Sequence, residues 1–246
     1  SKPFIKYMKT RIIIPARLKS TRFPNKLIQL INNISLIEHI CIRAKKIPCY
    51  SVIVATDDIK IKSLVEQHGI EVWFSKKKFL NGTHRIACLC KEYGFNKNDN
   101  VINIQGDEFN FSLKGVKDLI TKLSSSKSKG IFTLISKSRS KEIFHNPDHV
   151  KVLIDKKGDA LFFSRSPVPF NGSDDHFIHI GIYGYKVSML YSYLNFDKSP
   201  YEAYENLEQL RFIWNKTPIH CIKIKVNNSI SINSVNDLKL AKETFK

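Results

Sequence analysis

Apolar positions along the first half of the chain follow two alternating periods. Arg11 to Pro15 encloses Ile12, Ile13 and Ile14 and is stopped by a proline, the pattern of a strand buried on both faces. Ser35 to Lys46 sets Leu36, Ile37, Ile40, Cys41 and Ala44 along one helical face. Ser51 to Ala55 predicts a second strand, and Ile59 to His68 a helix closed by Gly69. Val72 to Phe74 predicts a third strand, and Thr83 to Tyr93 a helix closed by Gly94. A strand at Val101 to Gln105, a helix at Leu113 to Leu123 and a strand at Ile131 to Ile135 continue the alternation. Short strands alternating with helices predict an α/β fold, a mainly parallel Rossmann-like sheet with helices on both faces.

The second half changes pattern. Val150 to Ile154 and Ala160 to Ser164 flank the turn Lys156-Lys157-Gly158-Asp159 and predict a hairpin. Ile178 to Tyr185 and Ile219 to Lys225 predict strands, and Asn206 to Trp214 and Ser234 to Phe245 predict helices. Ser234 and Asp237 stand at capping-box spacing. An antiparallel part is therefore expected beside the parallel sheet. With 246 residues, against roughly 150 per domain, we expect one domain over residues 8–246, its antiparallel extension spanning roughly 148–215, with residues 1–7 as an N-terminal extension.

Composition narrows the class. Five cysteines are too sparse and uneven for a disulfide framework, and no apolar run approaches the ~20 residues of a membrane span. The N-terminus lacks an apolar signal core. A reduced, cytoplasmic protein is expected. Forty basic and 22 acidic residues leave a net charge of +18, which favours anionic partners. The cations are mostly lysines, spread along the chain, with Lys76-Lys77-Lys78 the longest run. Readers of nucleic acid usually cluster arginine, so phosphate or carboxylate substrates fit better.

Ligands of open parallel sheets bind beyond the carboxyl ends of the strands. The loop after the first predicted strand, from Pro15 to Lys26, holds Arg17, Lys19, Ser20, Thr21, Arg22 and Lys26. It carries no glycine-rich cradle, yet arginine forks and a lysine point charge can hold a triphosphate. Ala55-Thr56-Asp57-Asp58 either caps the next helix or reads a base edge. Asn81-Gly82-Thr83-His84-Arg85 opens a helix with Thr83 as the expected cap, and free N–H groups there can bind anions. Gln105-Gly106-Asp107-Glu108 ends a hydrophobic strand with hard-oxygen carboxylates suited to Mg²⁺, or is a plain turn. Cys88 and Cys90 face different sides of a helix and have no second pair for zinc. No Gly-x-Ser-x-Gly elbow is present.

Taken together these loops resemble a known family. Ile13-Ile14-Pro15-Ala16-Arg17 with Ser20, Arg22, Pro24 and Lys26 resembles the N-terminal motif of CMP-sugar synthetases. Further segments, in the same order, resemble the 3-deoxy-manno-octulosonate cytidylyltransferase (CMP-Kdo synthetase) family. They are Ile53 to Asp58, Gly82-Thr83-x-Arg85, Gln105 to Glu108, Asn146-Pro147-x-x-Val150-Lys151-Val152, Phe163-Ser164-Arg165, His179 to Tyr185 and Leu207 to Arg211.

The resemblance implies a nucleotide-diphospho-sugar transferase fold and transfer of CMP from CTP to a 2-keto sugar acid, with release of pyrophosphate, for lipopolysaccharide or surface-glycan synthesis. It implies that Arg17 and Lys26 hold the triphosphate, together with Ser20 and Arg22. It places Mg²⁺ on Asp107 and on position 233, and implies pyrimidine selection by the backbone of Ala16 and Thr56, with Asp57 and Gly82 nearby. Gln105, His179, Tyr185, Glu208 and Gln209 would line the sugar pocket, with Arg85 and Arg165 as anion partners. It also implies a homodimer built through the extension.

The chain departs from the family pattern at four places. The second metal-binding aspartate is Asn233, the arginine before the strand histidine is Ile178, an acid is replaced by His84, and the segment after Pro169 is short. The acceptor implied is 3-deoxy-manno-octulosonate or a close relative such as its amino-substituted form, and two further readings remain at this level: a catalytically impaired relative that only binds nucleotide or sugar, and a CMP-sugar synthetase for another nonulosonic or octulosonic acid.

Overall fold

The computed structural model of the chain describes residues 8–18, 23–225 and 230–245. The elements run β1 (Thr10–Ala16), a 3-10 turn (Lys26–Ile28), β2 (Leu30–Ile31), β3 (Ile34–Ser35), α1 (Leu36–Ala44), β4 (Ser51–Thr56), α2 (Ile59–Glu66), β5 (Glu71–Phe74) and α3 (Gly82–Glu92). There follow β6 (Asn100–Ile104), β7 (Glu108–Phe109), α4 (Leu113–Ser125), β8 (Ile131–Ser138), α5 (Lys141–His145), β9 (Lys151–Ile154) and β10 (Ala160–Ser164). The chain continues with β11 (His176–Lys186), α6 (Val187–Tyr193), α7 (Pro200–Glu205), α8 (Leu210–Trp214), β12 (Ile219–Ile224), β13 (Ile230–Ser231) and α9 (Val235–Thr244).

The main sheet is mixed, as the sequence predicts. β5, β4, β1 and β6 lie side by side and parallel. β11 joins β6 antiparallel, β8 joins β11 antiparallel, and β12 runs parallel to β8. The hairpin β9–β10 extends the sheet through Lys151 paired with Ile178 and Val152 paired with Phe177. β11 shifts register between Ile180 and Tyr183, and this bulge lies against the end of β6.

The isoleucine run of β1 is consecutive because both faces of the sheet are covered. Ile12 and Ile14 enter the core shared with α1, α2, α4 and α9, whereas Ile13 enters the core shared with α3, α6 and α8. Burying each such side chain contributes about 1.5–3 kcal/mol. Neither face can turn to water, so the carboxyl ends of the strands are held in fixed register.

Two features differ from the sequence reading. The helix predicted from Asn206 begins instead at Leu210, because Asn206 is left-handed (φ 53°) and closes α7, its N–H donating to the Glu202 carbonyl. The short helices α5, α6 and α7 were not predicted; α7 carries a Ser199 cap and Pro200 at its first position, which is a legible start signal. Separately, the segment before β8 is held by side-chain hydrogen bonds. Ser128 Oγ lies 2.6 Å from His220 Nε2, and His220 Nδ1 lies 2.6 Å from Asp159 Oδ1. Ser128 Oγ also accepts from Gly130 N, so this hydrogen-bonded chain closes a turn onto β12. No helix among the described residues is long and apolar enough to cross a membrane.

Candidate active site

Two groups of residues meet at the carboxyl ends of the parallel strands. The first surrounds the ends of β1 and β6. Ala16 pairs with Thr56 across β1 and β4, and Arg17 emerges exposed just beyond. Lys26, in the 3-10 turn, reaches Asp107 with Nζ 2.9 Å from Oδ2. Gly106 permits this approach: a Cβ there would stand 3.1 Å from Leu27 Cδ2 and 3.4 Å from the Pro15 carbonyl. Ser20 and Arg22 lie outside the described residues, as does the N-terminal extension.

Asp107 and Asn233 are brought together by the main chain. β7 pairs with β13, Ser231 opposite Glu108, and Ile232 N donates to the Asp107 carbonyl at 2.9 Å. Asn233 follows directly, its own N–H bound to Asp237 Oδ2 at 2.9 Å within the cap of α9. Beneath them Glu108 is buried. Its Oε1 accepts from Gly181 N at 2.7 Å and its Oε2 from Ser231 Oγ at 3.0 Å. Burial first, then the charge of Asp107, push its carboxyl up to about 7. Glu108 thus ties the β11 bulge and β13 to the strand end that carries Asp107.

Among the described residues no three His, Cys, Asp or Glu gather as a metal cage. One carboxylate and one amide oxygen suit Mg²⁺ nevertheless, since this ion takes one or two protein carboxylates and completes its shell with substrate phosphates and water. The residues present therefore fit a metal that arrives largely with a nucleotide.

The second group surrounds the start of α3. Asn81, not Thr83, caps this helix, its side chain accepting from His84 N at 2.8 Å. Thr83 instead gives its N–H and hydroxyl to Glu208, at 3.3 and 3.0 Å. Glu208 therefore fills the anion position that the free helix N-terminus offers. Burial raises its carboxyl and the Thr83 bonds oppose that rise. Gly82 sits between the groups, its Cβ position 3.4 Å from Pro15 Cγ and 3.5 Å from Glu208 Oε1.

Tyr185 is fully buried with its hydroxyl 3.4 Å from Thr83 Oγ1. His179 Nε2 lies 3.0 Å from Thr133 Oγ1, and its ring packs on Phe163 and Tyr183. Burial lowers its pKa to about 3, which leaves the imidazole uncharged. Gln105 lies beside the bulge, where a Cβ on Gly181 would approach its Oε1 to 3.2 Å. Gln209 is 3% exposed and its Nε2 makes no hydrogen bond among the described residues. An orphaned buried donor costs roughly 1–3 kcal/mol, a cost that a hydroxyl-rich ligand would remove.

Two expected ligand contacts are spent on each other. Arg85 is 6% exposed, donates to Asp57 Oδ2 at 3.1 Å and to the Ala55 carbonyl at 3.4 Å. The pair fixes the loop after β4. Thr56 is buried and its hydroxyl accepts from Asp58 N, while Asp58 caps α2. The structure adds Glu205, which no sequence motif singled out, and gives Glu108 and Lys151 buried roles that their motifs did not state. Lys151 offered one signal, a lysine inside the apolar run Val150-Lys151-Val152.

Comparison with known proteins gives the family. A family model described as cytidylyltransferase matches residues 11–224. The chain is 35% identical over 243 residues to the 3-deoxy-manno-octulosonate cytidylyltransferase of Francisella tularensis subsp. novicida, with 95% of this chain and 97% of that one covered. It is 35% identical over 251 residues to the protein of the same name from Alteromonas mediterranea, with 97% and 100% covered. Among solved structures, a CMP:2-keto-3-deoxy-manno-octonic acid synthetase complexed with CTP superposes with a TM-score of 0.86 at 28% identity, covering 96% and 98% of the two chains. A CTP:phosphocholine cytidylyltransferase from Streptococcus pneumoniae shares the fold, with a TM-score of 0.66 at 15% identity over 97% of this chain and 100% of that one.

Proposed function

Because the chain belongs to the cytidylyltransferase family, and within it to the 3-deoxy-manno-octulosonate cytidylyltransferases, we propose that it transfers CMP from CTP to the anomeric hydroxyl of 3-deoxy-manno-octulosonate or a close relative. The observation that carries this reading is the full-length likeness to a synthetase that holds CTP. The hydroxyl oxygen attacks the α-phosphorus, the bond from that phosphorus to the bridging oxygen breaks, pyrophosphate leaves, and the hydroxyl proton passes to water or to the departing pyrophosphate. Such transfer depends on positioning and on neutralising charge. Arg17 and Lys26 neutralise the triphosphate and the departing pyrophosphate, and Lys26 is already oriented by Asp107. Asp107 and Asn233 would hold Mg²⁺, which supplies further positive charge to the phosphates when bound. The backbone of Ala16 and Thr56 faces the base.

Around the sugar, Gln105, Gln209 and Tyr185 offer hydroxyl-matching groups, and uncharged His179 offers a hydrogen bond without repelling or attracting charge. Arg165 meets the sugar carboxylate. Glu208 acts through Thr83, holding the start of α3 against Pro15.

In a pyrophosphate-release assay with 3-deoxy-manno-octulosonate as acceptor, CTP with Mg²⁺ should support turnover and ATP or GTP should give negligible rates. Equal rates with ATP would refute a pyrimidine site.

The extension presents Leu161, Phe170, Tyr201, Tyr204 and Trp214 to solvent, with the Tyr201 ring in contact with Phe162 and Trp214. An apolar cluster of this kind suits an interface, and we assign it to a second copy of the chain. Sedimentation should show a dimer that Tyr201→Asp with Tyr204→Asp dissociates; a monomeric wild-type protein would overturn the assignment.

A further inference from the structure

Arg165 follows β10 and is gripped from several sides. Its N–H donates to Glu205 Oε2 at 2.7 Å, its Nε to the Glu205 carbonyl at 2.8 Å, and one terminal nitrogen to the Pro147 carbonyl at 2.9 Å. Its own carbonyl accepts from Lys151 Nζ at 2.6 Å. Lys151 is 0% exposed and also donates to the Asn146 carbonyl at 3.0 Å. The Glu205 carboxylate is committed to Ser164 Oγ, at 2.9 Å, and to Arg165 N. Lys151 is therefore a buried cation that bonds two carbonyls, with no carboxylate on its ammonium among the bonds described.

A buried charge without a direct counter-ion is costly, and an apolar side chain would fill the same space at lower cost. What an apolar side chain could not do is clamp the residues before β9 and after β10 through two carbonyls. Lys151 pairs with Ile178 of β11, and the next residue, His179, donates its N–H to the Val150 carbonyl at 2.8 Å. Arg165 and His179 are thus set in register by the strand that holds Lys151. Burial and the neighbouring Arg165 charge lower Lys151 to about 8, with Glu205 opposing. The Lys151 and Arg165 charges lie close enough to oppose each other, which an added anion would relieve.

We propose that Lys151 and Glu205 are positioning residues for the acceptor's carboxylate: they fix Arg165, and the Lys151 charge behind it strengthens the anion's binding. The inference rests on the reaction proposed above. It concerns binding of the acceptor and not of CTP.

Lys151→Met keeps the apolar stem and removes the ammonium. It should raise KM for 3-deoxy-manno-octulosonate by about tenfold or more, the scale of a lost charge-assisted hydrogen bond, and leave KM for CTP within about twofold. In an Arg165→Ala background the same change should add less than about twofold, because the group it positions is gone. An unchanged acceptor KM overturns the inference, as does an equal rise in both KM values or full additivity with Arg165→Ala. Should Lys151→Met not accumulate as folded protein, Glu205→Gln decides by the same criteria. An inactive wild-type protein would refute the reaction itself, and the inference with it; an active one with normal acceptor KM in the variants refutes the inference alone.

Discussion

Asp107→Ala should abolish turnover, and Asn233→Asp should lower the Mg²⁺ concentration needed for half-maximal rate. Both follow from the way β7 and β13 pair. Ile232 N binds the Asp107 carbonyl, so Asn233 stands beside Asp107 by main-chain geometry. The pair would bring a single negative charge to a divalent ion. Mg²⁺ in such a site leans on substrate phosphates, so free protein should bind it weakly and catalysis should demand a high concentration. Restoring a carboxylate at position 233 adds charge at a place the backbone already sets. Removing Asp107 leaves only a neutral amide and also strips Lys26 of its partner. Rate against Mg²⁺ for the three proteins, with calorimetric Mg²⁺ binding to each, checks this. An unchanged Mg²⁺ curve in Asn233→Asp, or an active Asp107→Ala, would place the metal elsewhere.

Lys26→Ala is expected to lower kcat by about 100-fold or more, by analogy with the loss of one preorganised charge stabiliser. The fold should persist, because Lys26 lies in a short turn whose buried contact is made by Leu27. Circular dichroism and thermal unfolding separate the two effects. A purified, folded variant with a near wild-type rate would show that the triphosphate is neutralised by other cations.

Much of the scaffold was legible because local pattern and tertiary outcome agree. Ile12, Ile13 and Ile14 are apolar in succession since helices cover both faces of β1. Ser234 and Asp237 form the predicted capping box. The strand-end position of Asp107 follows from the hydrophobic run before it. Elsewhere a distant partner decided the outcome. Thr83 looked like a helix cap, but Glu208, 125 residues away, takes its N–H and hydroxyl and leaves the cap to Asn81. Arg85 and Asp57 each looked available to a ligand, and folding pairs them. Asn206 fitted a helical pattern that its left-handed backbone interrupts. Lys151 contradicts the rule that lysines stay in water, so composition could not announce its burial.

The most direct measurement mixes the purified protein with CTP, Mg²⁺ and 3-deoxy-manno-octulosonate and follows phosphorus by NMR. The account predicts equimolar pyrophosphate and a CMP phosphodiester to the anomeric oxygen, with neither formed when CTP or the sugar acid is left out. Pyrophosphate without the sugar acid, or no phosphodiester with all three present, would contradict it.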